Sequence, residues 1–77
     1  MNDETNGSKA ERTRDAILKL LNGGTALTAD ALAGELALSI LYVRPRVSEL
    51  VSQERLVPSG ERARNASGKW AHKWKAA

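Results

Sequence analysis

Apolar positions along this chain follow a helical period as far as residue 51 and an alternating one near the end. Ile17, Leu18, Leu20 and Leu21 cluster on one side of a helical wheel, predicting a first helix from about Lys9 to Asn22 that Asn22-Gly23-Gly24 stops. Residues 1–8, MNDETNGS, show no apolar period and read as a disordered lead-in to a single domain over residues 9–75. Ala26-Leu27 leaves room for a very short strand. Thr28 is placed to cap a second helix from about Ala29 to Ala37, with Asp30 at the positive end of its dipole and Leu32 and Leu36 on one face. After a break at Leu38-Ser39-Ile40, Val43, Val47, Leu50 and Val51 fall at i, i+4, i+7 and i+8 and predict a third helix. Proline is tolerated in the first helical turn and disfavours helical geometry in the residue before it. Because of Pro45, the regular helix is expected to begin near Arg44, with residues 40–43 irregular or 3₁₀.

Beyond the third helix, Leu56-Val57-Pro58-Ser59 reads as a short strand, its proline favouring an edge or strand end. Lys69 to Trp74 alternates, with Trp70, His72 and Trp74 on one face. Between them GERARNASG, bracketed by Gly60 and Gly68, reads as a long polar loop. The element order is therefore α, short β, α, α, β, loop, β: a mainly α domain with a small β-hairpin, of α+β class.

Composition narrows the chemistry. Seventy-seven residues make one small domain, without cysteine and with a single histidine, which excludes disulfides and the usual zinc sites. Phenylalanine is absent, so Trp70 and Trp74 are expected to pack in the core or at its rim. No apolar run approaches the ~18–20 residues of a membrane span, and MNDETNGSKAER lacks the features of a signal peptide, so a cytoplasmic protein is expected. Asp15, Asp30, Glu35 and Glu49 lie on separate helices with no pairing signal. With no glycine-rich phosphate loop and no serine in a glycine elbow, neither an enzyme nor a cofactor is expected. His72 reads as structural or solvated, and Asn65-Ala66-Ser67 as a chance match to a glycosylation acceptor.

Charge is distributed unevenly. Residues 55–77 hold six basic side chains and one acidic, a net +5, whereas residues 1–54 hold six basic and eight acidic, a net −2. A basic end carried on a patterned hairpin points to a polyanionic partner.

The segment LTADALAGELALSILYVRPRVSELVSQERLV resembles the helix-turn-helix of winged-helix regulators, particularly small phage- and prophage-type ones. Leu32, Leu36, Leu38, Ser39, Val43, Val47 and Leu50 match its structural positions, and RLV with the basic loop and aromatic strand resembles its wing. The resemblance covers roughly residues 10–75. It implies three helices with a two- or three-stranded antiparallel wing, and a double-stranded DNA partner. The third helix would enter the major groove, which is about 12 Å wide. Ser39, Tyr42, Arg44, Arg46 and Ser48 are its candidate contacts, and Arg62, Arg64 and Lys69 would grip the neighbouring backbone. Two positions depart from the pattern: Ala37 and Glu54 stand where glycine is frequent, which suggests altered turn geometry.

A wheel drawn on the Val43/Val47/Leu50 face puts Leu41, Pro45, Glu49 and Ser52 opposite the core and the two arginines on its flanks. That placement suits Arg44 and Arg46 to phosphates or groove edges, while Glu49 would repel phosphate. Leu41, Tyr42 and Pro45 form an apolar cluster there, so a rival expectation is a protein-binding inhibitor or adaptor, such as a phage-type protein acting on a host protein. No segment suits a coiled-coil dimer, and oligomeric state stays open.

Overall fold

A computed structural model of the chain describes residues 2–65 and 67–77, with side chains from residue 9 onward among them. Its elements are α1 (Asn2–Leu20), α2 (Ala29–Leu36), α3 (Ile40–Ser52), β1 (Leu56–Arg64) and β2 (Trp70–Ala76). Three helices and a two-stranded antiparallel sheet place it in the α+β class. No described helix is long and apolar enough to cross a membrane.

Helix α1 starts at Asn2, seven residues ahead of Lys9, within the stretch assigned above to a polar lead-in. Apolar periodicity marks only the part of a helix that packs, whereas propagation into polar sequence adds one hydrogen bond per residue. Its end agrees with the glycine stop, Gly23 and Gly24 both having positive φ.

Side-chain caps set both later helix starts. Thr28 Oγ1 accepts from the Ala31 N–H at 3.1 Å, and Ser39 Oγ accepts from the Leu41 N–H at 3.1 Å. The Ser39 carbonyl also accepts from the N–H groups of Tyr42 and Val43, both at 3.0 Å, so helical bonding is under way before Pro45. The expected start near Arg44 is thereby corrected: α3 begins at Ile40 and carries Pro45 inside it. A proline there leaves the Leu41 carbonyl without its helical donor. Leu41 is 78% exposed, so solvent lies close to that missing bond.

Both helices end in the same double hydrogen-bonded turn. Leu38 N–H donates to Ala33 O and Ala37 N–H to Gly34 O at 3.0 and 3.2 Å, and Arg55 N–H donates to Leu50 O and Glu54 N–H to Val51 O at 2.8 and 2.9 Å. Each turn needs a left-handed residue, and Ala37 (φ 56°) and Glu54 (φ 62°) supply it without being glycine. The left-handed turns are thus retained at both departures from the glycine pattern rather than altered.

The hairpin differs most from expectation. Strand β1 runs on to Arg64, so most of the presumed loop is strand and only residues 65–69 connect it to β2. Register shifts between Pro58, which pairs with Trp74, and Arg62, which pairs with His72. Three residues of β1 therefore oppose one of β2, and Gly60 within the bulge has φ 93°. Leu27 exchanges backbone hydrogen bonds with Trp74, at 3.1 and 2.8 Å, an isolated bridge where a very short strand was expected.

Ile17 and Leu21 of α1, Leu32 and Ala33 of α2, Val43, Val47 and Leu50 of α3, and Leu56 of β1 form the buried core. Leu18, Leu20, Leu36, Val51 and Trp74 pack against it while partly buried. Trp70 corrects the expectation of core or rim packing: it is 61% exposed. The bulge in β1 separates the half of the hairpin that meets the core from the half that bears Trp70.

Candidate nucleic-acid interface

Helix α3 buries Val43, Val47 and Leu50 and leaves Leu41, Arg44, Pro45, Ser48 and Ser52 exposed. These five fall at i, i+3, i+4, i+7 and i+11, a single stripe opposite the core. Arg44 and Ser48 thus stand on the open face itself, with Ser39 exposed at its N-terminal end.

Tyr42 and Arg46 stand elsewhere. They occupy the flank that meets α1, with the Arg46 guanidinium 4.9 Å from the Tyr42 ring centroid and Lys9 Nζ 5.1 Å from it. Arg46 Nη2 also donates to Glu49 Oε2 at 2.9 Å, and Arg14 Nη1 donates to Glu49 Oε1 at 2.7 Å. Glu49 therefore ties α1 to α3 and is neutralised by two arginines. Its expected place opposite the core, repelling phosphate, is corrected by this pairing. Arg46 is only 17% exposed, and its buried Nε has no partner among the described residues.

Ionisation follows the same contacts. Burial pushes the Glu49 carboxyl up, but Arg14 and Arg46 outweigh it and hold the group below its ordinary value. Burial likewise raises Tyr42, yet the Thr13 hydroxyl, Arg46 and Lys9 bring the phenol below its usual range. Arg46 is raised: burial lowers it, but hydrogen bonding to and charge interaction with the Tyr42 hydroxyl and the Glu49 carboxylate outweigh that.

Arg62, Arg64 and Lys69 are exposed on the hairpin, and like Arg44 they pair with no carboxylate among the described residues. Lys73, by contrast, lies 3.9 Å from Glu61. Asn65 organises the connection by accepting at Oδ1 from the Ser67 N–H, the Ser67 hydroxyl and the Lys69 N–H, at 3.1, 2.7 and 3.1 Å. The match to a glycosylation acceptor is thus a turn-forming side chain; Ala66, its middle residue, lies outside the described residues. His72 is exposed and meets Trp74 edge-on at 5.9 Å.

Arg44, Ile40 and Leu38 line one open cleft together with Asp30 and Ala33 of α2 and with Asn65 and Ser67 of the hairpin turn. The turn therefore stands beside the N-terminal half of α3. Arg64 and Lys69 flank that turn in the chain.

Of the eight candidate residues, Ser39, Arg44, Ser48, Arg62, Arg64 and Lys69 are exposed, and of these Arg44 lines the cleft beside the hairpin turn. Tyr42 and Arg46 are drawn into the α1–α3 contact. Sequence reasoning missed Arg14 as the partner of Glu49, since 35 residues separate them and no local pattern links the two. It also missed the exposure of Trp70, which opens β2 at the turn end of the hairpin. Among the described residues, no three His, Cys, Asp or Glu side chains are grouped to hold a metal ion. Comparison with protein-family models, curated proteins and solved structures found no match.

Proposed function

We propose that this chain is a winged helix-turn-helix protein that binds double-stranded DNA and acts as a small transcriptional regulator. In this reading α2 and α3 are the helix-turn-helix and the β1–β2 hairpin is the wing. The observation that carries it is a set of exposed cations with no carboxylate partner among the described residues, Arg44 on α3 and Arg62, Arg64 and Lys69 on the hairpin, whose turn stands beside Arg44. A polyanion satisfies all four, and each phosphate contact releases counterions from the duplex. The α3 stripe presents Arg44, Ser48 and Ser39 to base edges or phosphates, while Leu41 and Pro45 offer apolar surface of the kind that meets thymine methyl groups. Tyr42 and Arg46 support the platform from behind rather than touching DNA.

Replacing Arg62 and Arg64 together with alanine tests the division of labour. The wing grips backbone, so the double variant should make the salt dependence of duplex binding shallower by about two log units per log unit of salt, while its ranking of different duplex sequences is kept. A variant whose sequence ranking collapses instead would place base recognition in the hairpin.

Exposure of Leu41 at 78% beside Pro45 favours a second reading, a protein-binding inhibitor or adaptor that uses the same stripe. Leu41→Ala separates the two. Under the DNA reading this variant weakens duplex binding by a few-fold at most; under the protein reading it abolishes capture of one specific partner and leaves duplex binding untouched.

A further inference from the structure

Trp70 is placed unlike the other tryptophan. It opens β2 with 61% of its surface exposed, whereas Trp74 packs on the core and bonds to Leu27 through its backbone. Strand pairing sets Arg64 opposite Trp70 and Arg62 opposite His72, and directly opposed residues share one face of a hairpin. The Arg64 guanidinium carbon lies 5.2 Å from the Trp70 ring centroid, over the indole. Lys69 precedes Trp70 in the chain, and Trp70 makes no ring–ring contact among the described residues. The result is a flat aromatic surface with a cation against it and two further cations nearby, Arg62 and Lys69, that have no carboxylate partner among the described residues.

A ligand matching this surface carries a planar π-system joined to phosphate. An apolar protein side chain would cover the ring but leave Arg62, Arg64 and Lys69 without counter-charge. A nucleotide satisfies both demands. Within an intact duplex each interior base is already stacked on both sides and a blunt end bares only the outer face of its terminal pair, so the form of DNA with the most accessible π-face is one that carries an unpaired base.

We infer that Trp70, with Arg64 against its ring, is a stacking platform for an unpaired DNA base, and that the protein prefers a duplex bearing a short single-stranded overhang to a blunt one. The inference rests on the DNA reading above and extends it from a grip on the backbone to a preference among DNA forms.

The test titrates the full chain with a blunt duplex and with the same duplex carrying a short thymine overhang, following fluorescence anisotropy of labelled DNA and tryptophan emission. Stacking on an aromatic side chain predicts tighter binding of the overhang by roughly five- to 150-fold, with quenched emission. Trp70→Ala should erase that difference while holding blunt-duplex affinity within about twofold, and Trp70→Phe should retain part of it. Equal binding of the two DNAs by the unaltered protein overturns the inference and leaves the DNA reading standing. So does a preference that survives Trp70→Ala, or an equal loss of both affinities in that variant. Failure to bind either DNA removes the DNA reading itself.

Discussion

Glu49 illustrates how one carboxylate changes the reading of a helix. On a wheel it faces solvent and opposes phosphate; in the fold Arg14 and Arg46 enclose it at 2.7 and 2.9 Å and α1 is fastened to α3. With 39% of its side chain exposed, solvent screens the network, and its contribution is on the order of 1 kcal/mol or less. The folded-state value of the carboxyl lies below its unfolded value, so the stabilisation is present above the ordinary carboxylate range and is lost as pH falls through the lowered value. Glu49→Gln should therefore unfold at lower urea than the unaltered chain at pH 7, and the gap should close as pH drops below that range. A gap that persists undiminished in acid would show that packing, not charge, is what the variant removes. Tyr42 and Arg46 were legible as polar side chains near a helix N-terminus, but their inward engagement was not, because it depends on residues of α1.

At the scale of elements, the core-facing period of α3 and the cap at Thr28 could be read directly, since both are local. The start of α3 is not legible from Pro45 alone, because Ser39, six residues before it, organises the first turn with its side chain and carbonyl. The hairpin was misread for a different reason: polar composition looks the same in a loop and in an exposed strand, and the bulge around Gly60 hides the alternation in β1. The helix ends carry a prediction. Ala37 and Glu54 hold left-handed conformations that cost a residue with a Cβ about 1–2 kcal/mol relative to glycine. Space for a side chain is not the constraint, so Ala37→Gly should raise the melting temperature, by ~4–8 °C for each kcal/mol gained in a domain of this size. An unchanged or lower melting temperature would mean that glycine's greater freedom in the unfolded chain offsets the relief.

For the molecule as a whole, charge separates into two populations. Among the described residues Arg14, Arg46 and Lys73 are engaged with carboxylates, whereas Arg44, Arg62, Arg64 and Lys69 on α3 and the hairpin, like Lys9, Arg12, Lys19, Arg55 and Lys75, have no carboxylate partner. The basic bias of residues 55–77 was legible from the sequence; that the hairpin turn stands beside Arg44 of α3 was not, because it follows from tertiary packing. If Arg44, Arg62, Arg64 and Lys69 all meet phosphates, the logarithm of duplex affinity should fall with the logarithm of salt at a slope of about −3 to −4, and affinity should drop roughly a hundredfold between ~50 and ~200 mM salt. A titration of the full chain with blunt duplex DNA across that range measures the slope directly. A slope near the predicted value supports the interface; undetectable duplex binding at ~50 mM salt, or a slope close to zero, contradicts it.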